Sequence, residues 1–189
     1  MQYPDQSIEE LTARLHSLYA TKYAHTSDTS HPYALDIHHL THLLGGTINY
    51  TLHLEPGSIT TRITHPHHDP EPDAGATFTF TTTLSKTDPP RLQRFRLAHE
   101  IGHIYLHHLK PAPEHRQTEF YKHPSNPTEA ERCTQANKFA GALLMPAHKF
   151  HQAWDETGGD LIKIAELFKV TVVTAEARHN HLTQMQNNP

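Results

Sequence analysis

The chain has 189 residues, with 16 Lys and Arg against 20 Asp and Glu and a formal charge of -4. That length suits one domain rather than a multi-domain machine, and no excess of positive charge is available to hold a polyanion, so neither direct nucleic-acid binding nor a membrane surface is the expected partnership. The single cysteine, Cys133, excludes an internal disulfide, no apolar run is long enough to span a membrane, and the start lacks a signal-peptide pattern; the expected setting is reducing and cytoplasmic.

From Ser7 to about Lys22, residues Ile8, Leu11, Leu15, Leu18 and Tyr19 fall on one helical stripe, and Ser7 with Glu10 has the spacing of a capping box. A short second helix is predicted from Asp36, with Ile37, Leu40 and Leu44 inward, ending at Gly45-Gly46. The period then changes to two. Ile48, Tyr50, Leu52 and Leu54 alternate with Thr47, Asn49, Thr51 and His53, the pattern of a half-buried strand. Further strands are expected near Ile59 to Thr64 and Ala76 to Leu84, joined by an exposed hairpin loop that includes His65 to Asp73. The alternating Thr and Phe of the third strand suit a sheet edge that receives a partner by main-chain pairing.

Asp88 as N-cap and Pro89 at the first helical position open a helix expected to reach about Leu109. Pro111 to Pro127 carries four prolines and no period, so it reads as a long connection beside a site. Thr128 and Glu131 form another capping box, before a helix that runs to Met145-Pro146. Helices near Ala147 to Glu156, Leu161 to Phe168 and Val172 to Thr183 complete a helical C-terminal half. No internal repeat or domain boundary divides the chain, and residues 1–189 read as a single domain.

His99-Glu100-Ile101-Gly102-His103 lies inside the helix that starts at Asp88. Two histidines at i and i+4 project from one face and can share a tetrahedral zinc, while Glu100, on the adjacent rim, is placed to take a proton from a metal-bound water. Because 20 of the residues are histidine, chance alone gives about 0.1 such matches per chain, so the discrimination comes from context. Leu92, Phe95, Ala98, Ile101 and Tyr105 give this helix a buried stripe, and Gly102, between the histidines, permits close approach of another element.

A third ligand must come from elsewhere. On the helix that starts at Thr128, positions 129, 133, 136, 137, 140 and 144 share a face whose small and apolar members are Ala136, Ala140 and Leu144. Cys133 on that face is the candidate third ligand, Glu129 is the fallback, and Asn137 is placed to fix the tautomer of a zinc-bound histidine. As an alternative, Cys133 is simply a small buried hydrophobe.

Arg94-Phe95-Arg96-Leu97-Ala98-His99-Glu100-Ile101-Gly102-His103 resembles the R-F-x-x-A-H-E-x-G-H block of the ImmA/IrrE-type zinc metallopeptidases. Ala136-Asn137-Lys138-Phe139-Ala140-Gly141-Ala142-Leu143-Leu144-Met145-Pro146 resembles that family's A-N-x-F-A-x-x-L-L-M-P block. The resemblance implies an α+β, zincin-like fold with a small twisted, mostly antiparallel sheet on the active-site helix, a Zn2+ cofactor, and cleavage of a protein substrate, a helix-turn-helix transcriptional repressor. The family usually has glutamate where this chain has Cys133, and a thiolate donates more charge, which weakens the metal as a Lewis acid. An alternative is therefore a weak or inactive zinc protein that binds a repressor, with Cys133 as a redox-sensitive ligand. A second alternative is a DNA-binding module built from the last two helices, which hold few certain cations. If those helices instead pack on the core, Arg178 is a possible oxyanion stabiliser facing the cleft.

Overall fold

The computed structural model describes residues 3–23, 32–54, 59–64, 78–108, 119–121 and 127–187. Four strands, β1 (Gly46–Thr51), β2 (Ile59–Thr64), β3 (Thr79–Ser85) and β4 (Glu119–Tyr121), make one mixed sheet in the order β1-β3-β2-β4. β1 runs parallel to β3, while β2 is antiparallel to both β3 and β4, so the expectation of a mostly antiparallel sheet agrees with two of the three pairings. The third strand is not a sheet edge. β3 is hydrogen-bonded on both sides, which leaves it no free main-chain ladder for a partner. β4 lies within the stretch read as an unstructured connection; the expected hairpin loop between β2 and β3 is outside the described residues.

Among the described residues, seven α-helices accompany the sheet: α1 (Asp5–Tyr23), α2 (Ile37–Leu43), α3 (Pro90–His103), α4 (Pro127–Leu144), α5 (Ala147–Thr157), α6 (Leu161–Phe168) and α7 (Val172–Asn187). α1 starts before Ser7, so Ser7 and Glu10 stand inside the helix, and its buried line is Ile8, Thr12 and Leu15, with Leu18 exposed. α2 starts next to Asp36 as expected, and the Asp36 carboxylate caps it by accepting from the backbone N–H groups of His38 and His39. α3 begins one residue later than expected, because Pro89 takes the N-cap position and Asp88 instead pairs with Arg96. α4 likewise already includes Thr128.

α3 lies against the sheet and against α4, and its placement is fixed at both ends. Near its start, Arg94 donates from Nε to the Lys169 carbonyl at 3.1 Å and from Nη2 to the Leu35 carbonyl at 3.0 Å, tying α3 to the carboxyl end of α6. At its other end the helix does not stop at His103 but widens into a π-helical turn, Ile104–His108, where Nε2 of His107 donates to the Arg132 carbonyl of α4 at 3.3 Å. Leu97, Ala98 and Ile101 of α3 join Phe139, Ala140 and Leu143 of α4, and Met145 just beyond its end, in the core with Phe80 and Leu84 of β3. Among the described residues no helix is long and apolar enough to cross a membrane.

Candidate metal centre

Gly102 sets how closely the two site-bearing helices approach. A Cβ at this position would lie 3.0 Å from a ring carbon of Phe139 and 3.2 Å from backbone atoms of Ala136. Glycine lets α3 and α4 cross at this distance without displacing Phe139 or the Ala136 backbone, and the crossing brings Cys133 and Asn137 against the two histidines.

The donor atoms converge accordingly. Nε2 of His99 and Nε2 of His103 are 3.1 Å apart, and Sγ of Cys133 is 3.6 Å from Nε2 of His103. All three side chains offer ligand atoms within 4.8 Å of one another, the only such group of His, Cys, Asp and Glu among the described residues. A tetrahedral zinc with bonds of about 2.0–2.1 Å to nitrogen and about 2.3 Å to sulfur sets its donors about 3.3 Å apart (N to N) and about 3.6 Å apart (N to S). The donor types suit that ion, and the two spacings at His103 fit it. Glu129, the alternative ligand, is not in the group; its carboxylate pairs with Arg132 at 2.7 Å.

The surroundings suit neutral imidazoles. Nδ1 of His99 donates to Oδ1 of Asn137 at 2.8 Å, which leaves the lone pair on Nε2, the nitrogen that faces His103. Burial pulls the His99 imidazole down to about 4, against the hydrogen bond that it donates to Asn137, which acts in the opposite direction. Burial, with the neighbouring His99, His107, His108 and Arg132, takes His103 down to about 2. Burial also pushes the Cys133 thiol up, and the carboxylates of Glu129 and Glu100 add to this, so its proton must be displaced by whatever cation the site takes.

Glu100 is buried on the sheet side of α3, and burial raises its carboxyl to about 7, against hydrogen bonds from Thr61 and Thr60 and the charge of Arg96. Oγ1 of Thr61 donates to Oε2 at 2.7 Å, and Oγ1 of Thr82 lies 3.0 Å from that of Thr61. The sequence reading did not single out these threonines. In strands this rich in threonine, the usable signal was that Thr61 stands two residues before Ile63, which marks it as inward.

Arg178 is elsewhere. Its guanidinium, fully buried on α7, donates to both carboxylate oxygens of Glu9 on α1, and its Nε donates to the Met145 carbonyl at 3.0 Å. With these donors engaged, the expected role as an oxyanion stabiliser is replaced by that of a clasp between α7, α1 and the end of α4.

A solved structure of a Mycobacterium tuberculosis transcriptional regulator aligns with 92% of this chain and 51% of its own, at 18% identity and a TM-score of 0.45, so the chain spans about half of that protein's length. No curated protein matches the sequence. The Peptidase_M78 family, described as the IrrE N-terminal-like domain, matches residues 62–180, which take in the end of β2 from Arg62, then β3, α3 with its histidines, and α4 with Cys133 and Asn137; the chain belongs to this family.

Proposed function

We propose that this protein is a zinc-dependent endopeptidase of the zincin type, acting on a protein substrate, a helix-turn-helix transcriptional repressor. The observation that carries the reading is the convergence of ligand atoms of His99, His103 and Cys133 within 4.8 Å of one another, with the Glu100 carboxyl one position along from His99. Membership of the Peptidase_M78 family supports a peptidase-like domain, and the resemblance over residues 94–103 and 136–146 supports repressors as the substrate class.

His99, His103 and Cys133 would hold the ion, which when bound supplies a Lewis acid for the scissile carbonyl and acidifies water. Asn137 keeps His99 in the tautomer that presents Nε2. Glu100 is the general base, taking the proton from the attacking water and passing it to the departing amine. Its buried carboxyl, raised to about 7, has a proton affinity suited to both steps.

Co-expression with candidate helix-turn-helix repressors, followed by mass analysis of fragments, tests this. The parent should give new termini; Glu100→Gln should keep stoichiometric zinc and give none, and His99→Ala should lose the zinc. A Glu100→Gln protein that cuts at the parent rate, or that folds without zinc, would refute the assigned role. The sulfur in the donor set favours a second reading, a zinc-holding repressor partner with slow or no hydrolysis. That reading is supported if parent and Glu100→Gln bind the repressor equally and neither yields fragments.

A further inference from the structure

Along β2, exposed Arg62, buried Ile63 and exposed Thr64 keep the alternation of a strand, but Thr60 and Thr61 are both buried. The pairing with β4 shows why. Ile59 is opposite Tyr121 and Thr61 is opposite Phe120, so two steps on β2 match one on β4 and Thr60 is the extra residue of a bulge. A bulge re-aims side chains, and here two consecutive hydroxyls turn to the same carboxyl: Thr61 Oγ1 lies 2.7 Å from Oε2 of Glu100, and Thr60 also hydrogen-bonds that group.

The contact continues into the next strand. Thr61 is the register partner of Thr82 on β3, and their hydroxyl oxygens are 3.0 Å apart, with both side chains fully buried. In the ionised form that a base requires, the carboxylate has no proton to give, so there Thr61 donates to Glu100 and its own oxygen accepts from Thr82. The donor direction of the whole chain, Thr82 to Thr61 to Glu100, is thereby set. Valine has almost the shape of threonine and brings no hydroxyl to desolvate, so packing alone gives no reason for threonine at these two buried positions.

We propose that the β2 bulge and the Thr82-Thr61 hydroxyl chain are a positioning device for the Glu100 carboxylate, with Thr61 the residue that aims it. A glutamate on a helix face has three side-chain torsions to restrain, and charge-assisted hydrogen bonds from a rigid sheet restrain them before any substrate arrives. Thr61 and Thr82 are positioning residues that touch neither substrate nor the donor atoms. The inference rests on the reading of Glu100 as the base.

The test uses zinc-loaded protein and the repressor cleaved in the assay above. Thr61→Val should lower kcat about tenfold or more, with KM changed by less than about twofold and zinc content intact. Thr61→Ser, which keeps the hydroxyl, should recover most of that loss. Thr82→Val should lose less, and the double variant should be no slower than Thr61→Val, because Thr82 acts only through Thr61. Parent kcat in Thr61→Val, or losses that multiply in the double variant, would overturn the proposal. If Thr61→Val does not fold, Thr82→Val decides: kcat should fall with KM and zinc unmoved, and an unchanged kcat overturns the chain. A readout independent of hydrolysis is a double-substitution cycle in urea unfolding with Thr61→Val and Glu100→Met. The two midpoint shifts should fail to add, whereas additive shifts would remove the contact. A parent that cuts nothing counts against the endopeptidase reading, and the cycle then decides on the threonines by itself.

Discussion

At the scale of single residues, the departure that matters is sulfur at position 133. Cys133 and Asn137 stand one helical turn apart on α4, one facing His103 and the other holding His99. Asn137→Ala should therefore weaken zinc by about 10- to 100-fold through loss of the hydrogen bond to Nδ1, measured by competition with a chromogenic chelator. Cys133→Ser should weaken it more, while Cys133→Glu should retain zinc and keep or raise peptidase activity. An undiminished affinity in Cys133→Ala would take the thiol out of the site and return Glu129 to consideration, although Arg132 now holds that carboxylate. The two histidines, Glu100, Cys133 and Asn137 were legible because helical phase is a local property that places them without knowledge of the rest of the chain. The threonines were not, since their role depends on a bulge and on which strand lies beside which.

Between elements, the closest constraint is the α3–α4 crossing at Gly102. Adding one methyl there meets Phe139 and the Ala136 backbone at 3.0–3.2 Å, distances that require a neighbour to give way. Gly102→Ala should cost about 1–3 kcal/mol in urea unfolding and lower zinc affinity as well, because the donors sit on both helices. A substitution that left both unchanged would show that the crossing has slack. The strands were only partly legible for a related reason. The inward residues Phe80, Thr82 and Leu84 of β3 alternate in the same way whether the strand is central or at an edge, and nothing in that alternation shows that β1 pairs with β3 rather than with β2, the strand next to it in sequence. β1 shows the converse: Tyr50 and Leu52 follow the apolar alternation but are 41% and 63% exposed, because β1 is the edge and Leu52 lies beyond its end.

Over the whole molecule, α1 and α7 close upon α4 through a set of polar contacts. Asp5 pairs with Lys138 of α4 and with His181 of α7, Glu9 pairs with Arg178, and Nε2 of His16 donates to the Leu143 carbonyl at 2.8 Å. This clasp was invisible in the sequence because its partners are far apart along the chain, and Arg178 read as a free cation only because Glu9 could not be placed beside it. Burial lowers the pKa of His16; the bond to Leu143 opposes this, and the charges of Lys149 and His148 add to it. As pH falls through about 6.5 the unfolded chain takes up this proton before the native one, so the contribution is complete above that pH and is lost as pH falls toward the folded value. His16→Gln, which keeps a donor to the carbonyl, should flatten the loss of unfolding free energy between pH 7 and 5 relative to the parent. Parallel curves for the two proteins would exclude this contribution.

The sheet order also has a consequence for how the chain finds its structure. β2 and β3 close a comparatively local antiparallel pair, whereas the parallel match of β1 to β3 and the match of β4 to β2 each require the ends of a longer loop to meet, at a higher entropic cost. The Thr61–Thr82 pair thus belongs to the part of the sheet expected in the folding nucleus, ahead of the helices that bring the histidines and the thiol. Truncation at Ile63 or Phe80, which face each other across that pair, should slow refolding, while truncation at Ile48 on β1 should mainly accelerate unfolding. Stopped-flow kinetics with the opposite partition would place the nucleus at the parallel edge instead.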